Sequence, residues 1–253
     1  MDLLPEFKEA FAYTKSMLQR PRELLFLIII TIIPILDFAA LGYCTKILRE
    51  DLSSKTPPKI GSLVELLVPG LKVLVLVFVW ALIIFIVGSI LGIDVLGGIA
   101  LLIMNPKYAF ASGENLAYDA VNLGGLAVVT YLFGLIAIMS IVNMVKQGSF
   151  LKAVDFKAVI SKIGKIGWVT YLEFVFSVLV VGTICSLIVG AVMDFVDFRG
   201  IVGIIANVAI LVTLISFVFV LPIIFYAKTA SRLYDNSSDK PRMPNQSEPQ
   251  AIN

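Results

Sequence analysis

Residues 71–93 are 23 consecutive positions whose single charge, Lys72, stands at the leading edge. A helix rises about 1.5 Å per residue and the hydrocarbon core of a bilayer is about 30 Å thick, so about 20 apolar residues are enough to cross it. A run this long without charge has no place on a soluble surface. Three more runs of comparable length follow, over residues 123–145, 166–193 and 200–227. With 59% of 253 residues hydrophobic and only 15% charged, the chain has too little polar material to coat a soluble globule. The sequence therefore predicts an all-α, polytopic transmembrane bundle with four clear spans, forming one domain over residues 1–234.

The remaining segments are shorter. Leu3, Leu4, Phe7, Ala10, Phe11, Thr14 and Leu18 recur at three- and four-residue spacing, with Glu6, Lys8, Glu9, Lys15 and Arg20 between them. That pattern predicts an amphipathic surface helix over residues 3–20, ended by Pro21. Residues 24–42 are apolar but contain Pro34 and Asp37, which allows either a hairpin turning back at Pro34 or a kinked span. Residues 50–61, with Pro57 and Pro58, read as a loop. Residues 95–104 are too short to cross and read as a re-entrant piece or a surface helix, with a polar connection over 105–122. Residues 149–165 read as a second surface helix, capped by Ser149. Residues 235–253 read as a disordered cytoplasmic tail. The first apolar run lacks a small-residue cleavage site, so no cleaved signal peptide is expected.

Charge placement orients the bundle. The connection 146–165 holds five lysines against one acid, whereas 194–200 holds two acids and Arg199. Basic residues stay on the cytoplasmic side, which places both the lysine loop and the C-terminus there, in the cell membrane. Eighteen of the 20 Lys and Arg residues then share one face, leaving Lys107 and Arg199 outside. Lys8, Lys15, Arg20 and Arg22 join that face only if 24–42 turns back. The hairpin reading follows the charge rule, and the kinked span breaks it at these four residues.

Catalytic chemistry is poorly supplied. The chain has no histidine, so the usual general base and metal ligand is missing and no cofactor or metal site is expected. Cys44 and Cys185 read as small packing residues. Gly88 with Gly92, and Gly182 with Ser186 and Gly190, read as small-residue stripes against neighbouring helices. A charge inside an apolar run costs about 2.5 to 3.5 kcal/mol at the helix centre unless paired or wet, which singles out Asp37 and Glu173. Asp37 reads as a cap of the hairpin turn. Glu173 reads as an interfacial ion pair with Lys146 or Lys228, or as a cation site shared with Asn143. Lys152, Lys157, Lys162 and Lys165 read as contacts to anionic headgroups or as topogenic charges.

Several short motifs resemble one family. They are Leu41-Gly42-Tyr43 followed by Lys46 and Arg49, then Pro58 and Gly70-Leu71-Lys72. The stretch Gly148-Ser149-Phe150-Leu151-Lys152-Ala153-Val154-Asp155-Phe156 and the end around Pro222, Tyr226 and Leu233-Tyr234 belong with them. Together they resemble the domain-of-unknown-function family 4013 over most of residues 10–235. The resemblance implies a prokaryotic, often archaeal, polytopic membrane protein, and carries over no functional residue. Val154 stands where that family usually has Phe, and Lys59-Ile60-Gly61-Ser62-Leu63 where it usually has an acidic and aromatic cluster.

The leading functional reading is a structural or lipid-interacting membrane component whose surface helices lie on the cytoplasmic leaflet. The alternative is a small-solute or ion channel or transporter using Asp37 and Glu173. An enzyme fits least. Expected partners are membrane lipids, with anionic headgroups among them, and a second membrane protein or further copies of this chain. Nucleic acid is not among them.

Overall fold

The computed structural model describes residues 2–32, 37–97, 116–193 and 216–237, and all its regular elements there are helical. Three of these helices are long and apolar enough to cross a membrane: Leu63–Ile90, Val121–Gln147 and Trp168–Cys185. The fourth expected span, 200–227, lies mostly outside the described residues, as do 98–115 and the tail from 238.

In chain order the helices are α1 (Leu3–Met17), α2 (Pro21–Ile32), α3 (Asp37–Arg49), α4 (Leu63–Ile90) and α5 (Leu116–Gln147). A 3-10 turn (Phe150–Ala153) then precedes α6 (Phe156–Ile166) and α7 (Trp168–Met193). A π-helical turn (Ser216–Val220) leads into α8 (Leu221–Asn236).

Helix α4 starts eight residues before the expected span because Ser62 caps it, accepting from the amide of Glu65. Its buried positions Leu66, Gly70, Val73, Leu76 and Trp80 make one narrow stripe, while Leu71, Val75, Phe78, Leu82 and Ile86 are exposed. A helix apolar all round with one buried seam is what a lipid solvent permits. Its end corrects the small-residue reading of Gly92, while Gly88 is buried where a Cβ would overlap the Val95 side chain. Gly92 adopts φ 74° and the amides of Gly92 and Ile93 bond back to Ser89 and Gly88. Gly92 is thus the left-handed residue that stops the helix, rather than part of a packing stripe. Asn122 of α5 then clasps the turn, accepting from the Asp94 amide at 2.7 Å and donating to the Asp94 carbonyl at 3.0 Å. Apart from its own helix backbone and chain neighbours, a Cβ built at Gly182 meets no described atom within 4 Å, and the surroundings of Ser186 and Gly190 lie outside the described residues.

The tightest crossing joins α3 to α4. A Cβ on Gly42 would overlap the Leu66 carbonyl, and one on Gly70 would overlap the Phe38 carbonyl. Both glycines belong to the motifs noted in the sequence. Their shared role is to let two helix backbones touch.

Among the described residues, one end of the molecule gathers most of the charge. There Arg20 donates to the Pro57 carbonyl at 2.6 Å, Tyr43 to the Pro58 carbonyl at 2.9 Å, and Tyr13 to Glu50 at 2.5 Å. The chain therefore enters α2 and leaves α3 at the same end. Leu27 and Ile30 of α2 share an apolar cluster with Ala39, Tyr43 and Ile47 of α3. Asp37 opens α3, and its side chain, with the expected cap, lies outside the described residues, as does Pro34.

The surface helices are where the sequence reading needs most correction. Helix α1 ends at Met17, and Pro21 opens α2, a position that needs no amide donor. Its buried residues are Glu6, Ala10, Tyr13, Thr14 and Met17, whereas Leu4, Phe11 and Leu18 are exposed. The helix is rotated from the expected face because Glu6 docks on Arg232 of α8 while Tyr13 and Met17 enter the apolar cluster shared with α2 and α3. The segment 149–165 is two elements: Ser149 makes no side-chain cap before the 3-10 turn, and Asp155 caps α6 by accepting from Ala158 at 3.1 Å. Gly167, at φ 100°, turns α6 into α7.

Candidate functional site

Helix α8 runs on past the expected last span, and Lys228, Ser231, Arg232 and Asp235 follow at three- and four-residue spacing on one face. The sequence counts Lys228 and Arg232 among the 18 basic residues of one face, with Lys228 a candidate partner of Glu173, and puts Asp235 in the tail. In the fold they form the hub of the charged end.

Arg232 binds Glu6 at 2.5 Å and Glu9 at 2.5 Å, with only 12% of its side chain and 9% of that of Glu6 exposed. Asn236 donates to the second Glu6 oxygen at 2.9 Å. Lys146 of α5 binds Asp235 at 2.5 Å and donates to Ser231 at 2.8 Å, and Ser231 donates to the Leu48 carbonyl at 3.1 Å. Lys228 lies 3.8 Å from Glu50, donates to the Asp51 carbonyl at 3.3 Å, and stands 4.5 Å from the Tyr13 ring centroid. The hub therefore ties α1, the end of α3, the loop after it and α5 to one helix.

Burial sets the proton affinities here. Desolvation pushes the Lys228 ammonium below the usual lysine range, and Glu50 only partly offsets it. The Tyr13 hydroxyl is raised, first by burial and then by its hydrogen bond to Glu50. Tyr43 is raised by burial and then by the charges of Glu23 and Glu50.

The structure disperses the residues expected to share an intramembrane site. Glu173 is exposed on α7 and enters none of the ion pairs among the described residues, because Lys146 and Lys228 are held by Asp235 and Glu50. Buried Asn143 donates to the Lys152 carbonyl at 2.7 Å and accepts from Tyr234 at 2.8 Å, which fastens the 3-10 turn to α8. Of the four candidate lipid lysines, Lys157 and Lys165 are exposed on α6. Lys152 is 3.5 Å from Asp155, and Lys162 sits 4.0 Å over the Tyr234 ring.

Glu6, Tyr13, Glu50, Ser231, Arg232 and Asp235 went unnoticed as a set. The available signal was the polar periodicity of 228, 231, 232 and 235, which continues the helix beyond its apolar run.

These features define an α-helical membrane protein whose described polar groups are concentrated at one end. The chain belongs to the family described as Protein of unknown function (DUF4013), whose model matches residues 24–194, from α2 through α7. No curated protein and no solved structure matches it.

Proposed function

We propose that the protein is a non-catalytic component of the cytoplasmic leaflet of a cell membrane, anchored by its spans and holding anionic headgroups through α6. The charged end would face the cytoplasm, and α2 with α3 would form a re-entrant hairpin. At 12 and 13 residues each arm reaches only about 18 to 20 Å, short of the full hydrocarbon thickness.

The observation that carries this reading is the three-sided pattern of α6. Val159, Ile163 and Ile166 are buried, Phe156 and Ile160 are exposed beside them, and Lys157 and Lys165 are exposed on the far side. Leu151, Val154 and Trp168, next to α6 in the chain, are exposed too. A helix with a core face, an apolar flank and a lysine flank suits the headgroup boundary, where the amines reach phosphates while the flank dips into the acyl region.

Spin-labelled phosphatidylglycerol and phosphatidylcholine, each reconstituted with the purified full chain, provide the test. Preferential association of the anionic lipid, weakened by salt and by Lys157→Gln with Lys165→Gln, supports the proposal. Equal association of both lipids at every salt concentration would reject it.

A further inference from the structure

Helix α1 lies along α8 in the opposite direction, with Glu6 beside Arg232 and Asn236. The same docking leaves a cleft on its outer side. The cleft has a volume of about 540 Å³ and runs between Phe11, Lys15 and Leu18 of α1, Val181 of α7, and Leu221, Pro222, Phe225 and Tyr226 of α8. Such a volume lies within the range of ligand pockets, roughly 300 to 1,000 Å³.

Its lining is chemically one-sided. The Thr14 hydroxyl at its wall is committed to the Ala10 carbonyl at 2.8 Å, and the Tyr226 hydroxyl to the Ser177 carbonyl at 2.8 Å. Phe11 and Leu18 are 65% and 45% exposed. The one charge on the rim is Lys15, which is exposed and takes part in no ion pair among the described residues. An apolar trough whose other polar groups are satisfied, with one cation at its edge, complements a molecule with a long hydrocarbon tail and a negative head.

We propose that this cleft binds one acyl chain of an anionic phospholipid, with the Lys15 amine on the phosphate. The site is separate from α6, but it rests on the same placement of the chain in a bilayer.

The test uses the purified full chain in phosphatidylcholine vesicles doped with a phosphatidylglycerol that carries a diazirine near its tail. Peptides containing residues 11–18 and 221–226 are expected to be labelled well above the exposed face of α4. Lys15→Gln should lower that labelling about fivefold, the factor expected for one basic residue at an anionic surface. Val181→Trp, which fills the trough, should remove it while leaving the helical circular dichroism unchanged. Labelling no higher in the cleft than on α4 would overturn the proposal. So would enrichment that is equal for a diazirine phosphatidylcholine or indifferent to Lys15→Gln. The test does not touch the α6 lysines, so a parent chain that shows no cleft enrichment yet still prefers anionic lipid would remove this site and leave the proposed function standing.

Discussion

Helices α1 and α6 look alike in sequence, but α1 adds a buried ionic contact to its apolar one and α6 does not. Helix α6 buries Val159, Ile163 and Ile166 and shows Lys157 and Lys165, so the apolar face is the attached face. Helix α1 turns Ala10, Tyr13 and Met17 inward too, but it buries Glu6 with them and shows Phe11 and Leu18, because Arg232 and Asn236 claim both oxygens of that carboxylate. Ionic docking fixes register and direction at particular residues, whereas apolar docking depends on the area removed from water. The consequence for α1 is that large apolar side chains are left facing outward, where a bilayer can accept them.

The largest effect should come from breaking the ionic dock. Arg232→Ala leaves Glu6 buried without its cation, and loss of one partner from a buried pair costs about 3 to 5 kcal/mol. Thermal unfolding in detergent should show that loss, and limited proteolysis should cut within residues 3–17 first. Protection of α1 equal to that in the parent would refute the ionic account.

On the apolar side, Ile163→Ala should cost about 3 kcal/mol through lost burial and the cavity left behind. It should loosen α6 while α1 keeps its amide protection. Equal loss of protection in both helices would show that they are one cooperative unit.

Tyr13→Phe should cost about 2 kcal/mol near neutral pH, the scale of a hydrogen bond to a charged group. The sign of its pH dependence follows from the raised affinity of the Tyr13 hydroxyl. Folded protein keeps that proton where the unfolded chain releases it, so the contribution is complete below about pH 10 and lost as pH rises through the folded-state value. Parent and variant stabilities should therefore converge in alkali, and parallel curves above pH 10 would contradict the assignment.

The smallest effect is expected at Asp155, whose carboxylate is held below its usual range first by the Ala158 amide. Its contribution is present above the ordinary aspartate range and is lost as pH falls through the lowered folded-state value. Asp155→Ala should speed amide exchange at residues 156–159 and leave α1 unchanged.

Why α6 was legible and α1 was not follows from their patterns. In α6 the residues that become buried form one stripe, and the lysines fill the opposite side. In α1 apolar residues occur all round: Phe11 and Leu18 compete with Tyr13 and Met17 for the inward face, and only a partner chosen by charge decides between them. The spans 71–93, 123–145 and 166–193 could be read from length and composition. The hub could not, because Lys228 and Arg232 stand where a basic flank is expected at the end of a membrane run. The sequence pointed to Lys146, Lys228 and Asn143 but not to their partners, which range from Lys152, close by Asn143 in the chain, to Asp51, Glu50 and Tyr13, far from Lys228. The turn of the chain after α2 was inferred from the placement of four basic residues alone. The contacts of Arg20 and Tyr43 hold the start of α2 and the end of α3 to the same loop, at Pro57 and Pro58.

The central claim is that the start of α1 and the lysine face of α6 lie on the same, inner side of the membrane. It can be tested by replacing Cys44 and Cys185 with serine, introducing Asp2→Cys or Lys157→Cys, and treating intact cells with a membrane-impermeant maleimide. Both positions should stay unlabelled until the cells are lysed. Labelling of residue 2 in intact cells, with residue 157 still protected, would mean that 24–42 crosses the membrane, and would contradict the account.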